Sequence, residues 1–185
     1  MRLYIAIAFI FCSNALVAQN FNDAQLKRKI TIDNDTAVIK AEVLIEHSAN
    51  FKINNNLWYC SFANNKINHI QGAIIGQPLE GNYEYFDANN KLIEKGEYLH
   101  GLKNGPWKSW DAKGNLISVE NYSRGLKNGE SIYYDEKGGI SESIQFRSGL
   151  KHGNQIIASE TKTIHIQYRK GEIVKQDTVL NENNN

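Results

Sequence analysis

The sequence predicts an all-β fold: an open antiparallel β-meander of stacked β-hairpin repeats, single-layered, with degenerate capping repeats at its ends. Three observations lead there. Gly81, Gly105, Gly129 and Gly153 recur every 24 residues, and the stretches between them read as one sequence written three times. A fixed period in that range marks a repeat architecture. Within each stretch a short aromatic run, an Asp-led turn and an aliphatic-to-aromatic run follow in the same order. Glycine is frequent, and no window keeps the i, i+3, i+4 apolar spacing of a helix.

Each repeat is expected to be a hairpin. The first strand carries Tyr83, Tyr85 and Phe86, then Trp107 and Trp110, then Tyr133 and Tyr134. Aromatic side chains suit a pleated surface. The turns are Asp87-Ala88-Asn89-Asn90, Asp111-Ala112-Lys113-Gly114 and Asp135-Glu136-Lys137-Gly138. Asp favours the first position of a type I turn, and Gly or Asn accepts the left-handed position that follows. The second strand runs from Leu92, Leu116 or Ile140 to Tyr98, Tyr122 or Phe146. Six residues separate each pair, an even number, so both side chains share a face. A second turn at Gly101–Asn104, Gly125–Asn128 or Gly149–His152 passes the chain to the next hairpin.

The pattern G-x-W-x-x-W-D-x-x-G-x-L, then Y-x-x-G-x-x-x-G, is clearest from Gly105 to Gly129. It resembles the MORN-repeat variant family over about Trp58 to Lys175. The resemblance implies a β-hairpin repeat fold and binding or scaffold roles. Some bacterial members carry a YwqK-type antitoxin label, which implies a rival role as an antitoxin or immunity-type inhibitor of a toxic protein.

The remaining segments follow in order. Residues 1–18 read as a secretory signal peptide: Arg2 gives the positive start, Leu3 to Cys12 the apolar run, and Ala15-Leu16-Val17-Ala18 a cleavage site. A lipoprotein signal using Cys12 is the alternative. The apolar run is too short to span a bilayer, and no other stretch is suited to it. The chain is therefore expected to be exported to the periplasm, the cell surface or the medium, with no transmembrane segment in the mature form. Residues 19–55 form an N-terminal cap. Asn20 to Arg28 is a polar lead-in. Ala37 to Ile45 alternates as a half-buried strand, paired with Lys29–Ile32 across Asp33-Asn34-Asp35; a helix over Thr36–His47 is the competing reading. Residues 56–175 hold the repeats: a degenerate one at 56–80, three full ones at 81–104, 105–128 and 129–152, and a decayed cap at 153–175. Residues 176–185 are expected to be a disordered tail. The sheet should contain ten to twelve strands.

Charge and chemistry narrow the function. The chain has 21 basic and 20 acidic residues; residues 1–18 hold Arg2 and no acid, so their removal leaves the charges balanced. No nucleic-acid partner is expected from such a chain. Cys60 stands alone after the leader and reads as a buried small hydrophobe. The five His residues (His47, His69, His100, His152 and His165) read as solvated or scattered, with His100 and His152 in inter-repeat turns. Asp87, Asp111 and Asp135 read as turn caps, since rungs about 10 Å apart in like environments make no acid–base pair. No cofactor, metal site or catalytic residue is expected. The candidate binding surface is a basic stripe of Lys103, Lys127 and Lys151 with Arg124, together with the aromatic positions Trp107 and Trp110. Its partner would be a protein or an anionic envelope surface, the latter by peripheral membrane contact. The functional expectation is a non-catalytic exported scaffold or binding module of the cell envelope.

Overall fold

The computed structural model describes residues 26–45 and 52–181. The leader, with Cys12, lies outside them. The described chain is all-β: one open antiparallel sheet in a hairpin meander, not closed into a barrel, with fourteen strands rather than ten to twelve. They are β1 (Lys27–Asn34), β2 (Ala37–Leu44), β3 (Trp58–Ala63), β4 (Lys66–Gln71), β5 (Gln77–Asp87), β6 (Leu92–Leu99), β7 (Leu102–Trp110), β8 (Leu116–Ser123), β9 (Leu126–Lys127), β10 (Gly129–Tyr134), β11 (Ile140–Arg147), β12 (Leu150–Ala158), β13 (Lys162–Arg169) and β14 (Glu172–Leu180). The main path runs β1-β2-β5-β6-β7-β8-β10-β11-β12-β13-β14.

Residues 37–44 form a strand, not the competing helix. β2 pairs along its whole length with β1, which starts at Lys27, so Lys27 and Arg28 belong to the sheet and not to a lead-in. The Asn34 side chain makes the turn: its Oδ1 accepts from the Thr36 and Ala37 amides at 3.0 and 2.9 Å.

The three repeat turns are built by their aspartates. Asp87 Oδ1 accepts from the Asn89 and Lys91 amides, Asp111 from Lys113 and Asn115, and Asp135 from Lys137 and Gly139, all at 2.8–2.9 Å. The left-handed position falls on Asn90, Gly114 and Gly138. Backbone bonds hold the Asp111 carboxylate below its usual pKa.

The turns between hairpins lie earlier than expected. They are His100-Gly101, Arg124-Gly125, Ser148-Gly149 and Lys170-Gly171, each with two consecutive positive φ angles. That is the type I′ loop whose twist matches the flanking strands. Leu102, Lys103 and Asn104 are already strand. His152 likewise lies in β12 and not in a turn. The repeat-initial glycines are not strand starts in general: Gly81, Gly105 and Gly153 lie inside β5, β7 and β12, opposite register shifts in the neighbouring strands. An extra residue with positive φ makes a bulge there.

Pairing assigns side chains to faces. One face carries Ile30 and Ile32, then Ile39 and Ala41, Tyr83, Tyr98, Lys103 and Trp107, and Glu120 and Tyr122. The β3–β4 hairpin leaves the main path. It closes on a two-residue loop, Asn64-Asn65, with φ of 52° and 58°. β3 pairs with the start of β5 through Ser61–Pro78 and Phe62–Gln77, and the Cys60 amide donates to the Gly101 carbonyl at 2.7 Å. Its Cys60 joins Ile30, Ile32, Ala41, Val43, Leu79, Tyr98 and Trp107 in the core, with Phe62 and Ile67 packed against them. The core therefore sits at the N-terminal end of the sheet. Toward the C-terminus burial falls away. β14 pairs with β13 as far as Leu180, so residues 176–180, expected in a disordered tail, are strand, and all nine residues of β14 are exposed.

Candidate functional site

Trp107 anchors the site. It is 1% exposed. Its ring lies over Gly96, where an added Cβ would stand 2.3 Å from the indole, so only glycine leaves room for it. Its Nε1 donates to the Glu97 carbonyl at 3.1 Å. Tyr98 packs edge-on at 4.9 Å between centroids, Tyr83 at 5.5 Å and Tyr122 at 6.4 Å. Such edge and tilted contacts suit aromatic quadrupoles.

Lys103 lies above this cluster. Its Nζ is 3.8 Å from the Trp107 ring centroid and 2.7 Å from Glu94 Oε1. A cation over an indole face is held by the ring quadrupole, and the carboxylate adds a charge-assisted hydrogen bond. The same device recurs one repeat on. Lys127 donates to Glu120 and, at 3.0 Å, to the Tyr133 hydroxyl, which itself donates to Glu120 at 2.6 Å; Tyr122 donates to the second Glu120 oxygen at 2.8 Å. Burial pushes the Glu120 carboxyl up, but these bonds outweigh it and hold its pKa below 4.5. Burial lowers the Lys127 ammonium, and the bonds to Glu120 and Tyr133 more than restore it, to above 10.5. One repeat further, Lys151 faces the Tyr168 ring at 5.0 Å and the Gln155 Oε1 at 3.4 Å, while Gln155 Nε2 donates to Glu142 at 2.6 Å.

The expected basic stripe thus takes a different form. Lys103, Lys127 and Lys151 are half-buried strand residues folded onto aromatic rings, not solvated turn lysines. Glu94 and Glu120 balance the first two on the same face. Arg124 is exposed in its turn. Trp110 is half-buried at the end of β7 beside Leu116. Trp107 is core. Of the six residues picked from sequence, the structure joins Lys103 and Trp107 and leaves the other four elsewhere along the sheet.

Where the β3–β4 hairpin lies over the sheet, it leaves an open cleft of about 570 Å³. Trp58, Cys60, Ile67 and His69 form one wall; Tyr83, Tyr98, Lys103, Tyr122 and Gly125 form the other. Trp58 is the exposed tryptophan, at 53%, and meets the His69 ring at 5.0 Å. Cys60 is buried; that burial pushes its thiol up, opposed by a hydrogen bond from Tyr98. Burial likewise raises the Tyr83, Tyr98 and Tyr122 phenols well beyond their usual range. At neutral pH the cleft therefore presents neutral hydroxyls, a neutral thiol, aromatic faces and one paired ammonium. Concave, mostly apolar surfaces with a few fixed polar groups are the common form of a ligand site.

Trp58 opens the repeat-like stretch of the sequence, but nothing in its spacing marks it as a cleft wall. Nothing in the sequence marks His69 or Ile67 as a cleft wall. The even spacing that puts Leu92 with Tyr98 and Leu116 with Tyr122 on one face is broken by bulges, because Leu92 and Leu116 pair with Phe86 and Trp110 beyond a register shift. Tyr83, Tyr98 and Tyr122 share a face through strand pairing instead. Compared with known proteins, the chain matches no family model and no curated protein.

Proposed function

We propose that this chain is an exported, non-catalytic binding module of the MORN-repeat variant type, and that its site is the cleft between the β3–β4 hairpin and the sheet. The observation that carries the reading is the placement of Trp58. It is a large indole left half in solvent beside an aromatic-walled cleft, whereas Trp107, two repeats on, is driven fully into the core. Exposed apolar surface beside a concavity is where partners bind. Export rests on the residues of the leader, from Arg2 through Ala18.

The lysine row favours a protein partner over an anionic surface. A lysine bonded to a glutamate with its ammonium over an aromatic ring, as at Lys103 and Lys127, offers little net charge to a polyanion. The wall chemistry suits an apolar or aromatic side chain carrying a hydrogen-bonding group.

Envelope extract passed over immobilised wild-type and Trp58→Ala protein tests this. A partner retained by wild type, reduced at least tenfold by Trp58→Ala and by Lys103→Ala, and insensitive to moderate salt supports the reading. Equal retention by all three, or binding to anionic vesicles that falls steeply with salt, contradicts it.

A further inference from the structure

The two ends of the sheet are finished differently. At one edge β1 exposes Lys27, Arg28, Lys29, Asp33 and Asn34 and turns Ile30 and Ile32 into the core. Charged residues along an edge discourage further strand pairing. At the other edge β14 exposes every residue, including Ile173, Val174, Val179 and Leu180 at 52–76%. Terminal units of a repeat array normally carry a polar outer face. β14 carries apolar residues at both ends beside Glu172, Lys175, Gln176, Asp177 and Thr178, and among the described residues no strand pairs with its outer edge.

The sequence of that edge is self-complementary. Written antiparallel to itself about Gln176, it sets Val174 opposite Thr178, Lys175 opposite Asp177 and Gln176 opposite Gln176. These are a β-branched pair, an opposite-charge pair and an amide pair, each favourable when directly opposed. Two-fold symmetry makes each unlike pair twice. In the single chain Lys175 and Asp177 bond each other at 2.7 Å, with both side chains largely in solvent. They share a face and are free to exchange partners across a two-fold. Val174 is a bulged residue, left without a partner on β13 between Ile173 and Lys175, so the regular part of the two-fold ladder is 175–177, flanked by the Val174–Thr178 contact.

We infer that β14 pairs antiparallel with β14 of a second copy about Gln176, joining two sheets edge to edge in a closed two-fold dimer. Isologous pairing uses up the edge on both copies, so assembly stops at two. Joining β14 to β1 of another copy would instead propagate without end. The ladder is short, so the dimer is a concentration-dependent one. A two-fold normal to the sheet keeps the cleft-bearing faces on one side, and the two clefts face the same way.

Charge exchange tests this by light scattering at low salt, from about 1 to 500 µM. Wild type is expected to rise from one chain mass to two. Lys175→Asp alone and Asp177→Lys alone are expected to stay single, because each sets like charges opposite one another. Mixing these two variants, or combining both changes in one chain, restores complementarity and the doubled mass. Unchanged far-ultraviolet circular dichroism shows that the variants fold. Should either misfold, the Gln176 amide of wild type decides: its hydrogen exchange slows as concentration rises if the strands pair. A single chain mass throughout, masses beyond two chains, or single variants as associated as wild type would overturn the inference. So would a Gln176 amide already protected at the lowest concentration, since an intramolecular segment would then cover the edge.

Discussion

Trp107 and Gly96 depend on each other. The indole is seated where the strand has no side chain, and Tyr98, Tyr83 and Tyr122 close around it. Trp107→Ala should cost about 3–5 kcal/mol in urea unfolding, the usual range for emptying an aromatic core site. Gly96→Ala should cost more than Gly114→Ala. At Gly114 nothing lies within 4 Å of an added Cβ, so only the left-handed backbone is penalised, by about 1–2 kcal/mol. At Gly96 the ring itself must move. The tryptophan was legible in the sequence as a recurring aromatic. Its glycine partner was not, because a lone glycine in a strand looks the same whether a ring covers it or solvent does. Lys103, Lys127 and Lys151 were legible as a periodic row for the same reason that their role was not: periodicity fixes where a side chain starts, and the ring and carboxylate across the strand fix where it ends. Glu120 gives a pH signature. Its folded pKa is below 4.5, so its contribution is present at neutral pH and is lost as pH falls through that lowered value. Lys127, raised above 10.5, keeps its side of the interaction throughout that range. Glu120→Gln should therefore destabilise at pH 7 and converge with wild type as pH falls through the lowered Glu120 pKa, as read from urea midpoints.

At the scale of elements, turn chemistry sets the register of the sheet. The Asp-led turns were readable because a short carboxylate bonding amides two and four residues on is a local device. The inter-hairpin turns begin one residue and end three residues earlier than the sequence suggests. The Gly-Leu-Lys pattern looks like a loop, yet in a type I′ turn the glycine is the second of only two loop residues. His100, Arg124, Ser148 and Lys170 thus take the first left-handed position despite their side chains. Asn64-Asn65 in the β3–β4 hairpin obeys the same rule. Replacing Asn65 by Gly should raise stability by less than about 1 kcal/mol, seen as a small rise in thermal midpoint. A fall would mean that the hairpin closes on another turn. The fold-back of β3–β4 onto the sheet was not legible. Its strands resemble the other hairpins locally, and the contacts that hold it join Cys60, Phe62 and Ile67 to a cluster drawn from residues 30–43 and 79–107, which no local pattern encodes.

The whole molecule is a gradient. Its core lies under β3–β4 at the N-terminal end, and its C-terminal strands form a sheet with little above it. Hydrogen exchange on dilute protein should follow that order, slowest in β5 to β7 and fastest in β14. The repeat period foretold an open meander because identical units add laterally without converging, and it could not foretell which end would be covered. The cleft follows from that asymmetry, since only a hairpin lifted off the path can make a second wall. The openness of the sheet is the claim beneath the rest, and a distance measures it. Eleven strands lie on the path from β1 to β14, and ten steps of about 4.8 Å, shortened by twist, put spin labels at Thr31 and Thr178 about 40–50 Å apart. Pulsed electron–electron resonance on the doubly labelled chain, diluted in unlabelled protein, should return that span. A distance near 10 Å would mean that β1 and β14 meet in a closed barrel, and the open sheet, its free edge and its cleft would all be lost with it.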